Sequence, residues 1–152
     1  MPYIKDENGR RKQIDKIVTF IGENLDILSD KITDNKKIKQ VIDLMLEVDI
    51  QVNGDLNYLL YALCKRYIKP SYNNYKKYIT KLYLRNHNLT FMGDLPEILY
   101  GFYFNYVNGH EKEEYKRVNN LIGELECCVF EIYRRLIAPY EQKKIIENGD
   151  VE

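Results

Sequence analysis

The sequence predicts an all-α protein, a helical bundle of about six helices with an internally duplicated helical hairpin. Three observations predict this class: apolar residues recur every three or four positions in most segments, turn residues separate those segments, and one stretch occurs twice. The chain has 152 residues, of which 45% are hydrophobic and 30% charged, a composition typical of one folded domain over residues 1–152.

Two helices are predicted in the first third of the chain, because apolar residues at helical spacing would lie on one face of each. The first face consists of Ile14, Ile17, Val18, Ile21, Leu25 and Leu28, and the second of Ile38, Val41, Ile42 and Met45. The polar run from Ser29 to Lys37 would be the loop between them.

A third and a fourth helix are predicted on either side of Pro70, since proline cannot continue the hydrogen-bond ladder and Ser71 is a suitable N-cap. The third carries Leu56, Leu59, Leu60, Leu63, Cys64, Tyr67 and Ile68, and the fourth Tyr72, Tyr75, Ile79 and Leu82. The next connection is predicted from Arg85 to Met92.

A fifth helix has start and stop signals at both ends. Asp94 is predicted as its N-cap, with Pro96 in the first turn and Glu97 at the capping-box position. Asn108 and Gly109 would close it.

The last predicted helix is the longest and has a heptad-like apolar stripe. The stripe consists of Tyr115, Val118, Ile122, Leu125, Val129, Ile132 and Leu136. In a monomer this would be the central helix of the bundle, and in a dimer it would be the seam. Pro139 is expected to end the helix, leaving residues 139–152 as a tail with too few apolar residues for another helix.

A repeat is visible at an offset of 39 residues. Gly54-Asp55-Leu56 recurs as Gly93-Asp94-Leu95, and apolar positions after the two signals match as well. After one extra loop residue, Tyr75 matches Tyr115. We interpret the repeat as a duplicated helical hairpin, with units of about 54–84 and 93–136.

The charge balance, cysteines and histidines argue against several functional classes of protein. Lys plus Arg (23) balances Asp plus Glu (23), so no net charge draws the whole molecule to nucleic acid or to an anionic membrane. Three cysteines make no disulfide framework; Cys127 and Cys128 are expected to be ordinary buried thiols. His87 and His110 lie in predicted loops without ligand spacing, so neither a metal site nor a cofactor is predicted.

The amino-terminal segment, MPYIKDENGRRK, is polar where a secretory signal needs an apolar stretch. No apolar run approaches the roughly 18 residues of a membrane span. We therefore expect a cytoplasmic protein that does not engage membranes, located in the host cytoplasm if a phage encodes it.

The unusual feature is a basic, tyrosine-rich segment from Leu56 to Met92, with seven cations, seven tyrosines and no acidic residue. Lysine and arginine pair with phosphate, and tyrosine rings stack on bases, so this mixture is typical of a nucleotide or other anionic ligand. A second cluster lies after the stripe, although Arg134 and Arg135 diverge by about 100° on a helix and are not expected to grip the same group. The candidate ligand-binding residues are Lys65, Arg66, Lys69, Tyr72, Tyr75, Lys76, Tyr133, Arg134, Arg135 and Tyr140. The alternative is a solvated basic face above a tyrosine-rich core.

One enzyme family bears on the two Gly-Asp-Leu signals. NGDLNYLLYAL and MGDLPEILYGF are similar to the second motif of all-α, MazG-like nucleoside triphosphate pyrophosphohydrolases, in which a glutamate precedes the aspartate by one helical step. Val52 and Phe91 stand at those places here, and the clustered carboxylates that would hold magnesium are missing. Asp55 and Asp94 are therefore interpreted as helix caps.

A second resemblance covers about half of the chain. GDLNYLLYALCKRYIKPSYNNYKKYI and LIGELECCVFEIYRRLIAPYEQKKIIENGDVE resemble an uncharacterised family of short bacterial and phage proteins with GDLNY, SYxNY, LECxxxExYRR and APYExxKIxENGDV motifs. The chain departs from that pattern between Thr80 and Asn120, where the duplicated hairpin supplies an extra block. The resemblance implies a helical, phage-associated protein of unassigned activity.

Two function hypotheses follow. The first is a non-enzymatic phage or prophage accessory protein that binds an anionic ligand, such as a nucleotide signal sequestered in an anti-defence role. The second is a protein-interaction module or inhibitor whose long heptad helix forms a homo-oligomer or docks a host protein. Triphosphate pyrophosphohydrolysis is the disfavoured enzymatic alternative.

Overall fold

The computed structural model describes residues 9–83 and 92–149, and it is all-α. Its helices are α1 (Arg10–Asn24), α2 (Asn35–Glu47), α3 (Gly54–Tyr67), α4 (Tyr72–Lys81), α5 (Asp94–Val107), α6 (Glu114–Ile132) and α7 (Ala138–Asn148). A π-helical segment, Tyr133–Ile137, joins α6 to α7, so that these three pieces form one C-terminal rod. With the rod counted once there are six helices across the described residues, as the sequence predicts.

Helix α3 lies at the centre of the bundle. It packs against α1 on one side and α6 on the other, while α5 packs against α2 and α6. Because it is covered on opposite sides, α3 buries nine residues, including Asp55 and Asn57. None of the helices within the described residues is both long and apolar enough to span a bilayer.

Several helix ends follow their predicted signals. The Ser71 hydroxyl accepts a hydrogen bond from the Asn74 backbone N–H at 3.1 Å and so caps α4. Helix α3 ends at Tyr67, three residues before Pro70, and α5 is followed by Asn108 as its C-cap. Most of the connection predicted from Arg85 to Met92 lies outside the described residues.

The prediction that Asp94 is an N-cap is wrong. Gly93 holds that position with φ 133°, and a Cβ there would collide with the Ser29 carbonyl oxygen, so the site requires glycine. Asp94 is the first residue of α5 and is fully buried. Its carboxylate accepts bonds from the backbone N–H groups of Asp26 and Thr33 at 2.9 and 2.8 Å and from the Thr33 hydroxyl at 2.6 Å.

The interpretation of Asp55 as a helix cap is also wrong, because Asn53 is the N-cap of α3 and Asp55 lies in the first turn. One of its carboxylate oxygens accepts from the Arg10 guanidinium and from the Gln51 backbone N–H. Arg10 also donates to the carbonyl oxygens of Val48 and Asp49, so it joins the start of α1 to the α2–α3 connection. In both copies of the repeat, the aspartate therefore fastens a helix start to an earlier part of the chain.

In the two copies of the repeat, matched residues of the first helices are buried in both, whereas matched residues of the second helices differ in exposure. The buried pairs are Leu56 and Leu95, Leu59 and Ile98, Leu60 and Leu99, and Leu63 and Phe102. In contrast, Tyr75 is 6% exposed and its sequence match Tyr115 is 83% exposed. The second helices therefore lie in different surroundings.

Helix α6 packs against α3, α4 and α5 of the same chain. The buried residues of α6 are Leu121, Leu125, Cys128 and Ile132. This buried face is rotated about the helix axis relative to the predicted stripe, and Tyr115 of the stripe is exposed to solvent. A seam between two chains remains a prediction.

The expectation that Pro139 ends the last helix is wrong. Pro139 lies in the first turn of α7, where backbone N–H groups have no partner within an α-helix, so proline is tolerated there. The preceding turn is π-helical, and its wider spacing is seen in the bond from the Ala138 N–H to the Tyr133 carbonyl. Residues 139–148 of the predicted tail are thus helical, although α7 buries none of its residues.

Candidate functional site

A groove runs between α4 and the C-terminal rod, and we call it the tyrosine groove. It consists of two adjoining cavities of about 240 and 320 Å³, and Tyr72 and Glu141 line both of them. The smaller cavity is also lined by Lys76, Ile79, Thr80, Val129, Tyr133 and Ile137, and the larger by Tyr140 and Lys144.

Local folding signals place the α4 wall of the groove. Pro70 and the Ser71 cap start α4 at Tyr72, so the tyrosine is its first residue and stays partly in solvent. One turn later, Lys76 holds its ammonium 5.1 Å from the centre of the Tyr72 ring.

The π-helical segment places the opposite wall. Val129, Tyr133, Ile137 and Glu141 follow one another at intervals of four residues and all line the groove. In a regular α-helix each such interval would turn the side chain by about 40°, spreading the set around the helix. The wider π turn opposes this rotation and keeps the four side chains on one side.

Hydrogen bonds and ring contacts fix the middle of the groove. The Tyr133 hydroxyl donates to a Glu141 carboxylate oxygen at 2.8 Å, and this bond to Glu141 raises the pKa of Tyr133 above its ordinary value. The rings of the buried Tyr75 and of Tyr140 form a T-shaped contact with their centres 6.0 Å apart. The Lys144 ammonium lies 3.3 Å from a Glu147 carboxylate oxygen.

The structure brings together one half of the predicted site residues. Tyr72, Lys76, Tyr133 and Tyr140 line the groove, and the Tyr75 ring contacts that of Tyr140.

The other five predicted residues are not among the lining side chains. Lys65 and Lys69 are exposed elsewhere. Arg66 forms a 2.8 Å ion pair with Asp15 and lies 3.3 Å from the Tyr58 hydroxyl, on the face shared by α1 and α3.

Arg134 and Arg135 lie together against one carboxylate. Each guanidinium is 3.0 Å from the same oxygen of Glu131, so the expectation that they would not grip one group is wrong. Positions three and four residues after a glutamate both neighbour it on a helix surface, which allows the double contact. The Arg135 guanidinium also lies 5.6 Å from the centre of the Tyr61 ring.

The remainder of the basic segment has structural roles. Lys81 is buried, with its ammonium bonded to the Asp30 carboxylate and to the Met92 carbonyl. Tyr78 is fully buried and donates to the Leu60 carbonyl at 2.6 Å. The segment is therefore partly core and partly ion pairs, and only its α4 face contributes to the groove.

Cysteines and histidines fall outside the groove. Cys128 is buried as expected, whereas Cys127 is exposed, so the expectation of two buried thiols is wrong for Cys127. His110 is exposed, and His87 lies outside the described residues. Across residues 9–83 and 92–149, no three His, Cys, Asp or Glu side chains are grouped closely enough to hold a metal ion.

Six lining residues were not predicted from the sequence: four uncharged side chains and two charged side chains of α7. The missed side chains are Ile79, Thr80, Val129, Ile137, Glu141 and Lys144. The four-residue spacing from Val129 to Glu141 was the signal available in the sequence, but it indicates one face only when a π turn is present.

Fold and groove together define an all-α protein with a tyrosine-lined candidate binding site. The family model described as Domain of unknown function (DUF6899) matches residues 1–91 and again residues 81–151, so the chain belongs to this family. The double match fits the internal repeat. Comparison with curated proteins and with solved structures found no match.

Proposed function

We propose that this protein is a non-enzymatic binding protein that holds a nucleotide, or another anion with an aromatic ring, in the tyrosine groove. The observation that carries the proposal is the convergence of three partly exposed tyrosines and two lysines on one groove. They are Tyr72, Tyr133 and Tyr140 with Lys76 and Lys144.

The chemistry of the lining supports a ligand that is apolar at one end and anionic at the other. Stacking of a base on a tyrosine contributes about 1–3 kcal/mol, and the apolar floor of Ile79, Val129 and Ile137 excludes water from the stacked ring. Lys76 and Lys144 lie at the rim, where phosphate oxygens would stay partly hydrated. The cavity volumes of about 240 and 320 Å³ together suit a small molecule.

A binder of this kind acts by removing its ligand from solution. The resemblance to short phage and bacterial proteins supports a phage or prophage setting, in which the sequestered ligand would be a nucleotide signal of host defence. This role needs tight binding and no chemical step.

Isothermal titration against a panel of mono-, cyclic and oligonucleotides tests the proposal. We expect one or more to bind the wild-type protein, and Tyr72→Ala and Lys76→Ala each to weaken binding about tenfold. Tyr83→Ala and Lys65→Ala are matched controls, because both residues are exposed and lie outside the groove lining. Absence of heat across the whole panel at high protein concentration would remove the proposal.

A second candidate, a protein-interaction module, is favoured by one observation. Phe130 is 69% exposed on the outer side of α6, beside Tyr133, which is 45% exposed. Ile122 and Val129 pack against the core, so glutamate at those positions would disturb folding and association together.

Sedimentation of a Phe130→Glu variant tests this candidate, with Tyr115→Glu as an exposed control on the same helix. A homo-oligomer that dissociates only in the Phe130 variant would support it. A wild-type monomer that captures no second copy would count against self-association.

A further inference from the structure

We infer that Glu141 makes the tyrosine groove selective for a guanine base. The inference rests on the proposed function. Among the described side chains that line the two cavities, Glu141 is the one carboxylate, and it lines both. It is also partly buried, in contrast to most of α7.

A carboxylate in a groove for an anionic ligand requires an explanation, because it repels phosphate. Its position determines which end of the ligand it faces. Lys76 lies on the α4 wall against Tyr72, whereas Glu141 lies on the rod. Lys144, also on the rod, is already paired with Glu147 at 3.3 Å. A phosphate group would therefore lie towards Lys76, and Glu141 would face hydrogen-bond donors on the ring system.

The nucleobases differ in the donors they can offer to a carboxylate, which accepts hydrogen bonds and donates none. Guanine presents two adjacent donors, N1–H and the 2-amino group, which match the two oxygens of one carboxylate. Adenine and cytosine each present an amino group beside an acceptor nitrogen, and uracil presents one N–H between two carbonyls. Guanine alone offers two adjacent donor groups to the two oxygens of Glu141, whereas each of the other three bases offers a single donor group.

Tyr133 positions the carboxylate. Its hydroxyl donates to one Glu141 oxygen at 2.8 Å, which limits rotation of the group. The other oxygen and a second lone pair on the bonded oxygen stay available to a ligand. Tyr133 is therefore a positioning residue and Glu141 the residue that contacts the base.

Isothermal titration of the full chain with GMP, IMP, AMP and CMP tests the inference. We expect GMP to bind on the order of tenfold to a hundredfold more tightly than AMP or CMP, as expected for a bidentate contact. IMP has the N1–H and lacks the 2-amino group, so its affinity should fall between those of GMP and AMP.

Variants assign the preference to one side chain. Glu141→Gln replaces one oxygen with an amide and should reduce the GMP preference to near unity. Glu126→Gln, an exposed change of the same kind on α6, should leave it intact. Tyr133→Phe should reduce it partially, while circular dichroism shows that all three variants are folded.

The outcomes separate the two proposals. Equal affinities for GMP and AMP, or a preference that persists in Glu141→Gln, would overturn the guanine inference and leave nucleotide binding standing. If none of the nucleotides in this titration or in the wider panel binds, the proposed function itself is overturned.

Discussion

The Asp94→Asn substitution tests whether a buried carboxylate fastens the α1–α2 loop to the start of α5. The Asp94 side chain is fully buried, and its two oxygens accept three hydrogen bonds from Asp26 and Thr33. Asparagine has nearly the same shape, so the substitution changes hydrogen bonding and charge without leaving a cavity.

The magnitude follows from which bonds the amide can keep. In the better orientation, the amide oxygen retains the Asp26 N–H and the Thr33 hydroxyl, and the new NH₂ faces the Thr33 backbone N–H. One bond to a charged acceptor, about 1.5–3 kcal/mol, is then lost, and the two retained bonds weaken because their acceptor is neutral. We expect the free energy of unfolding to fall by about 3 kcal/mol, equivalent to a melting temperature about 6–12 °C lower.

Urea unfolding followed by circular dichroism measures this effect. A loss of about 3 kcal/mol corresponds to a midpoint roughly 1–2 M lower at an ordinary slope for a small protein. Thr33→Val is a matched control that removes the hydroxyl donor alone, and it should cost about 1 kcal/mol. If Asp94→Asn unfolds at the wild-type midpoint, the carboxylate does not hold the loop and the bonding scheme at α5 is incorrect.

Three further predictions concern single side chains. Cys127 should react with a thiol reagent in the folded protein, because its side chain is exposed. Cys64 should react only after unfolding, because burial raises its pKa to about 12. Rapid modification of both thiols in the folded protein would contradict the burial pattern. Gly123→Ala should raise the free energy of unfolding by about 1 kcal/mol, because nothing lies within 4 Å of the added Cβ and alanine favours helix; a lower urea midpoint would refute this. Because Glu141 raises the pKa of Tyr133, this contact stabilises the folded state below the ordinary tyrosine pKa and is lost as pH rises through the raised value. In an absorbance titration, Glu141→Gln should therefore move one tyrosine transition to lower pH, and identical curves would show that the contact is absent in solution.

The helices were predictable because their signals are local. The Ser71 cap, the break before Pro70 and the apolar faces of α1 to α3 depend on residues within one or two turns. The structure agrees with them, except that α1 ends at Asn24, before the predicted face residues Leu25 and Leu28. The repeated Gly-Asp-Leu signal was also visible. The role of its aspartate could not be predicted, because Asp94 accepts a hydrogen bond from Thr33, a residue 61 positions earlier. Sequence spacing carries no information about such a contact.

The candidate site was also predictable only in part from the sequence. The abundance of tyrosine and lysine between residues 56 and 92 is a property of the sequence, and it predicts Tyr72 and Lys76 as site residues. Which cations remain for a ligand was decided by tertiary packing, since Asp15 pairs with Arg66 and Asp30 with Lys81.

The sequence by itself determined the helical class, the repeat and the residue types available for binding, because propensity and periodicity act between near neighbours. Only the tertiary structure decided that the chain continues as a helix through Pro139, with a π turn that brings Tyr133 and Glu141 opposite α4. That arrangement depends on the rod packing against α4, and packing between distant segments is what side-chain patterns alone do not specify.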